Sequence, residues 1–191
     1  KKFKSLRFFL IIIIIVMQLY SCKKVAIKPN IIIILADDLG YGDPEVYNSD
    51  SKIPTPNINN LAAQGMLFTD AHTPSSVCTP TRYGLLTGKY AWRTDLKNSV
   101  LWMWDRPLID STRQTLPKML KTEDYTTACI GKWHLGWRWA SNSHNGYVNE
   151  TIKIGDYNLK GRNELWKQMD FSKKIGGGPL EAGFDYYFGD D

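Results

Sequence analysis

Asn30-Ile31-Ile32-Ile33-Ile34-Leu35-Ala36-Asp37-Asp38-Leu39-Gly40-Tyr41-Gly42 carries the first decision about the fold. Its apolar run is continuous rather than alternating, which predicts a strand buried on both faces, as in the parallel sheet of an α/β domain. The run stops abruptly at two adjacent carboxylates. Open α/β sheets bind ligands at the carboxyl ends of their strands, so Asp37 and Asp38 stand where a ligand is expected. Side by side and unpaired, the two carboxylates repel and raise each other's pKa. A hard dication such as Ca²⁺ removes that conflict by taking their oxygens as ligands. A solvated turn or a helix cap is the plainer reading of the same pair.

Downstream, Thr55-Pro56-Asn57 predicts a helix start, with Ile58, Leu61 and Ala62 on one face and Gly65 closing it. Residues 66–71 are expected to return as a strand. Residues 79–87 read as a helix with Pro80 in its first turn, where a missing N–H does no harm. Residues 114–121 are amphipathic, and residues 126–130 form a short strand before Gly131-Lys132-Trp133-His134-Leu135-Gly136. Alternating strands and helices predict an α/β sandwich. From residue 140 to 178 the pattern fades, and no internal repeat appears.

Upstream, Lys1, Lys2, Lys4 and Arg7 precede an apolar run over residues 8–19. That run is short for a membrane span, which needs about 20 residues, and suits the core of an export signal. It ends in Leu19-Tyr20-Ser21-Cys22, which resembles a bacterial lipobox whose cysteine becomes lipid-modified. The expected organisation is a signal over residues 1–22, a link over 23–29, and one α/β domain over 30–191. The expected location is exported and membrane-anchored, in the periplasm or on the cell surface. A chain with 43% hydrophobic and 23% charged residues is globular rather than disordered. The net charge of +5 sits mainly in the export segment, and the remainder is nearly balanced. Nucleic-acid binding through bulk charge is thereby excluded.

Two further cysteines remain. An extracytoplasmic compartment permits a disulfide between them, yet each reads better alone. Cys129 lies in an apolar strand as a core thiol. Cys78-Thr79-Pro80-Thr81-Arg82 admits a buried thiol before a helix, or a thiolate stabilised by a helix N-terminus and Arg82. The order Cys-x-Pro-x-Arg also matches the core of a known signature, extended here through Pro74-Ser75-Ser76-Val77 before it and Tyr83-Gly84-Leu85-Leu86-Thr87-Gly88 after it. On these residues the chain resembles the type I, formylglycine-dependent sulfatases, specifically the arylsulfatase A-like branch. The stretch from Asn30 to Gly42 is similar to that family's first strand and paired metal aspartates. Gly131 to Gly136 is similar to its second signature, and Gly183-Phe184-Asp185-Tyr186-Tyr187-Phe188-Gly189 to a later recurring segment.

The resemblance implies a three-layer α/β sandwich with a mixed, largely parallel central sheet, alkaline-phosphatase-like and incomplete within these 191 residues. It implies a sulfuric-ester hydrolase whose Cys78 a maturation enzyme oxidises to formylglycine. The aldehyde hydrate offers two hydroxyls, one to attack the sulfate ester and one to lose its proton as sulfate leaves. Asp37, Asp38 and modified Cys78 would ligate Ca²⁺, which neutralises sulfate oxygens and lowers the pKa of the attacking hydroxyl. Arg82 would hold the hydrate with its fork of donors. Lys132 would contact hydrate or sulfate, and His134 would take the second hydroxyl's proton. The partners implied are a sulfated small molecule or glycan, the maturation enzyme, and a membrane reached through Cys22. The family's other calcium ligands and leaving-group acid are expected beyond residue 191. Two alternatives stay open: a phosphonate monoester or phosphodiester hydrolase using the same motif, and a truncated lipoprotein that only binds sulfated glycans. His72 and His144 read as structural, and Trp133 as a packing residue. A sugar platform of Trp133, Trp137 and Trp139 is the weaker reading, and the sequon Asn149-Glu150-Thr151 is irrelevant in a bacterial lipoprotein.

Overall fold

Proline stands in the first turn of each of the three α-helices described below, and glycine closes the first two, in keeping with the fixed φ of one and the permissive backbone of the other. The computed structural model describes residues 28–154 and 164–190, and the chain divides into two compact units, residues 1–35 and 36–191. Helix α1, Pro56–Gln64, has proline in its first turn, and the Gly65 N–H caps it on the Ala62 carbonyl. Helix α2, Cys78–Thr87, carries Pro80 in its first turn and ends at Gly88, whose φ of 65° is left-handed. The Gly88 N–H closes that helix on the Gly84 carbonyl at 2.9 Å. Helix α3, Leu116–Lys121, is capped by the Thr115 hydroxyl, which accepts from the Lys118 N–H. Lys118 and Lys121 lie in its last turn, where cations suit the helix dipole.

Strands β1, Ala128–Ile130, and β2, Tyr186–Phe188, pair in parallel with Cys129 opposite Tyr187. Two parallel strands joined by a long crossover are the α/β signature expected from the alternation of elements. Short 3-10 turns occupy Ala91–Arg93 and Leu165–Gln168.

The core lies beneath the loop that follows β1. Trp133 and Leu135 are 2% and 0% exposed and pack among Tyr83, Leu96, Leu101 and Leu108. Each such side chain contributes roughly 1.5–3 kcal/mol on burial. Lys132 and His134 alternate with them and remain half-buried. The loop turns back at Gly136, at φ 83°, where a Cβ would lie 2.4 Å from the Arg106 carbonyl oxygen. Packing of one residue set therefore aims the other.

The sheet's entry is tied by Asp185. Its carboxylate accepts from the Thr127 N–H at 2.9 Å and hydroxyl at 3.0 Å, and pairs with the Lys121 ammonium at 2.7 Å. The Lys121 bond, then the Thr127 bonds, lower the Asp185 pKa to about 2. A depressed folded pKa contributes stability that is present above the unfolded value near 3.9 and lost as pH falls through the folded one. The gap in Tm between wild type and Asp185→Asn is therefore expected to narrow from pH 5 towards pH 2. A constant gap across that range in pH-resolved thermal melts would rule the linkage out.

Several expected features are corrected. Residues 30–36 form no strand, and Ile32 and Ile34 are 84% and 85% exposed. A doubly buried parallel strand needs hydrogen-bonded neighbours on both sides, and this run joins no strand ladder among the described residues. Residues 66–71 are also irregular and exposed; the Phe68 carbonyl accepts from the Tyr47 hydroxyl instead of a strand. The strand expected over 126–130 begins only at Ala128, because the Thr127 N–H is taken by Asp185. No residue of α1 is buried, so its apolar face finds no cover among the described residues. Cys22 and the export segment lie outside the described residues.

Candidate functional site

Helical spacing brings the first pair together. Cys78 is the first residue of α2 and Arg82 lies four residues on, so both side chains share one face. At that end of the helix the first backbone N–H groups reach no carbonyl of their own helix, which favours an anion nearby. One oxygen each from Asp37 and Asp38 and the Cys78 sulfur all lie within 4.8 Å of one another. The three residues expected to share a metal are thus gathered at one point.

Two cations close round Asp37. The Lys132 Nζ donates to Asp37 Oδ2 at 2.8 Å and reaches the Cys78 sulfur at 3.5 Å. Arg82 Nη2 donates to Asp37 Oδ1 at 3.2 Å, while Nη1 donates to the Lys132 carbonyl at 2.7 Å. The hydrogen bond from Lys132, opposed by partial desolvation and helped by Arg82, lowers the Asp37 pKa. The same bond raises that of Lys132. Arg82 Nε is buried and has no hydrogen-bond partner among the described residues, so the guanidinium keeps one donor in reserve.

Asp38 differs from its neighbour. Its φ of 58° is left-handed, a conformation that aspartate tolerates better than most residues. It makes no ion pair among the described residues. An unneutralised carboxylate beside Asp37 and residue 78 is the observation that fits a hard cation best. Two carboxylates suit Ca²⁺, and an oxygen at residue 78 suits it better than sulfur does.

His134 is fixed from two sides. Its Nε2 lies 2.9 Å from the Leu101 carbonyl oxygen. A carbonyl only accepts, so Nε2 carries the proton and, in the neutral ring, Nδ1 holds the lone pair. The His134 carbonyl accepts from the Thr79 hydroxyl at 3.0 Å. Thr79 is fully buried and was not among the expected site residues. It occupies a variable place in Cys-x-Pro-x-Arg, so the motif alone gave it no role.

His72 is exposed and pairs with Asp70, and His144 is exposed. Cys78 and Cys129 are both free thiols, and burial raises the Cys129 pKa. Trp133 packs in the core and donates to the Gly136 carbonyl. Trp137 leans on Tyr187, and Trp139 meets Trp104 and Phe171 edge-on, so the three tryptophans make no shared platform. The sequon's Asn149 is fully buried and holds the Trp104 and Trp137 carbonyls with its amide nitrogen.

Comparison with known proteins places this geometry in context. Residues 29–188 match the family model described as Sulfatase. The N-acetylgalactosamine-6-O-sulfatase of Bacteroides thetaiotaomicron is 47% identical over 114 residues, 57% of this chain and 21% of that protein. Arylsulfatase A of Homo sapiens is 45% identical over 112 residues, 59% of this chain and 22% of that protein. The chain therefore spans about a fifth of the length of these relatives. A solved structure from work on metabolism of multiple glycosaminoglycans by Bacteroides thetaiotaomicron (BT33336S-sulf) superposes with a TM-score of 0.63. It is 37% identical, over 85% of this chain and 28% of that one. Ps i-CgsB in complex with k-i-k-neocarrahexaose gives 0.53 at 28% identity, with the same coverage. These neighbours bear out the α/β fold class.

Proposed function

We propose that this chain, which belongs to the sulfatase family, supplies the nucleophile and part of the calcium site of an enzyme that hydrolyses sulfuric esters. The observation that carries the reading is the convergence of Asp37, Asp38 and Cys78 within 4.8 Å, with Lys132 reaching both Asp37 and Cys78. When present, formylglycine at residue 78 supplies a hydrated aldehyde nucleophile, and Ca²⁺ supplies positive charge for sulfate oxygens. Asp37, Asp38 and residue 78 would hold that ion. Arg82 orients residue 78 from the same helical face, with its Nε available for an oxygen there. Lys132 sets its ammonium at residue 78, where it attracts the sulfate group and steadies negative charge. His134, protonated at Nε2, offers Nδ1 as the base that takes a proton from a hydroxyl.

The substrate class proposed is a sulfated small molecule or glycan. The names of the relatives support it: one is an N-acetylgalactosamine-6-O-sulfatase, and one solved neighbour holds a neocarrahexaose. The deciding experiment compares matched aryl sulfate and aryl phosphonate esters on the full-length protein after co-expression with a formylglycine-generating enzyme. Preference for the sulfate supports the reading; preference for the phosphonate would replace it.

The reading extends to location. Cys22, after a basic segment and a short apolar core, is proposed to carry lipid that holds the protein on a membrane. A clickable palmitate should label wild-type cells and leave Cys22→Ala unlabelled. Equal labelling of the two would dismiss the anchor.

A further inference from the structure

Thr79 belongs to the helix that starts at Cys78, whereas His134 lies 55 residues away in the loop after β1. Leu101 lies in a third segment, 22 residues from Thr79. Three hydrogen bonds close these segments into one ring. The Thr79 hydroxyl donates to the His134 carbonyl at 3.0 Å and accepts from the Leu101 N–H at 3.1 Å. The Leu101 carbonyl then accepts from His134 Nε2 at 2.9 Å. Thr79 and Leu101 are 0% and 1% exposed, so the hydroxyl at which two of these bonds meet is shielded from water.

We infer that Thr79 is a positioning residue, which sets the backbone and the imidazole tautomer of His134 for proton transfer at residue 78. The inference rests on the functional reading given above for His134, and goes beyond it in assigning a role to the residue beside the nucleophile.

The physical case has two parts. His134 has a φ of 51°, a left-handed conformation that costs a non-glycine residue free energy and persists only where the surroundings hold it. Its carbonyl accepts from the Thr79 hydroxyl at 3.0 Å. The imidazole is held by the Leu101 carbonyl, and the Leu101 peptide is itself oriented by donating to Thr79. One hydroxyl thus acts on His134 through its backbone directly and through its ring indirectly. Because the Leu101 carbonyl forces the proton onto Nε2, the lone pair at Nδ1 is a consequence of the same ring. A hydroxyl is required at residue 79, since it must donate and accept at once. Serine retains that ability. Valine, of the same shape, has neither function: it takes the Thr79 bond from the His134 carbonyl and the hydroxyl acceptor from the buried Leu101 N–H.

The test uses the full-length matured protein, with formylglycine content of each variant measured by peptide mass spectrometry so that turnover is expressed per modified site. Thr79→Val is expected to lower kcat about 10- to 100-fold, the range for residues that orient a catalytic group, with KM within about twofold. Thr79→Ser should restore kcat to within about threefold of wild type. Independently of activity, ¹⁵N shifts of the His134 ring should report the Nε2-protonated tautomer in wild type and Thr79→Ser, and a tautomer mixture in Thr79→Val. If Thr79→Val yields little folded protein, Thr79→Ala against Thr79→Ser makes the same comparison on the folded fraction. Equal kcat per modified site with unchanged His134 tautomer in the hydroxyl-free variant would overturn the assignment. A wild type inactive on sulfate esters would instead defeat the functional reading, and the tautomer measurement would still decide the role of Thr79.

Discussion

Cys78→Ala is expected to lower sulfate-ester turnover by at least about 10⁴-fold, as removal of a covalent nucleophile does, and to leave the protein folded. Two of its neighbours are not free to substitute for it. Asp37 is engaged by Lys132 and Arg82, and the Lys132 ammonium is held protonated by its bond to Asp37, so neither offers a free nucleophile. The fold should tolerate the change for local reasons. Among the described residues Cys78 is half-buried, forms no disulfide, and hydrogen-bonds through its sulfur to the Lys132 ammonium alone. Alanine at the first position of α2 is the better helix former, so the stability change should stay within about 1 kcal/mol. Circular dichroism and Tm on wild type and variant check the second half, and an aryl sulfate assay checks the first. Peptide mass spectrometry should find formylglycine at residue 78 in active wild type. Full activity with an intact thiol there would end the mechanism.

What could be read in the chain beforehand was what local chemistry determines. Helix α2 is legible from Pro80 in a first turn, with a start one residue short of the observed one at Cys78, and the motif already reads Arg82 as a partner of the Cys78 thiolate. The alternation of Lys132 and His134 with Trp133 and Leu135 likewise separates a site face from a core face. Residues 30–36 show where such reading stops. Six apolar residues in a row state that a segment can be buried, but the partners that bury a parallel strand are set by topology, and none is found among the described residues. Thr79 escaped for the opposite reason. Its hydroxyl joins residues 134 and 101, and a bond across 55 positions leaves no local trace. Asn149 is the same case in the core, read as a sequon but serving as a bridge between backbone carbonyls.

The contrast between Asp37 and Asp38 yields the second large effect, because the two carboxylates hold different electrostatic positions before any metal arrives. Asp37 balances two cations, whereas Asp38 makes no ion pair among the described residues and lies within 4.8 Å of Asp37 and Cys78. Asp38→Asn removes one of two repelling charges, and asparagine tolerates the φ of 58° found there. In calcium-free buffer the variant should therefore melt at or slightly above the wild-type Tm. Asp37→Asn should melt below it, since Lys132 and Arg82 then face a neutral amide. Added calcium should reverse the ranking of Asp38→Asn and wild type. An ion at 100 times its Kd stabilises the native state by about 2.7 kcal/mol. Loss of a charged ligand that weakens affinity about tenfold cuts that gain to about 1.4 kcal/mol. Turnover should fall at least about 100-fold in both variants, because sulfate oxygens lose the charge that neutralises them. Thermal melts of the full-length protein with and without calcium, with calorimetric titration, separate the cases. An equal calcium-induced rise in Tm for wild type and Asp38→Asn would mean that Asp38 is no ligand, and that its place beside Asp37 has another cause.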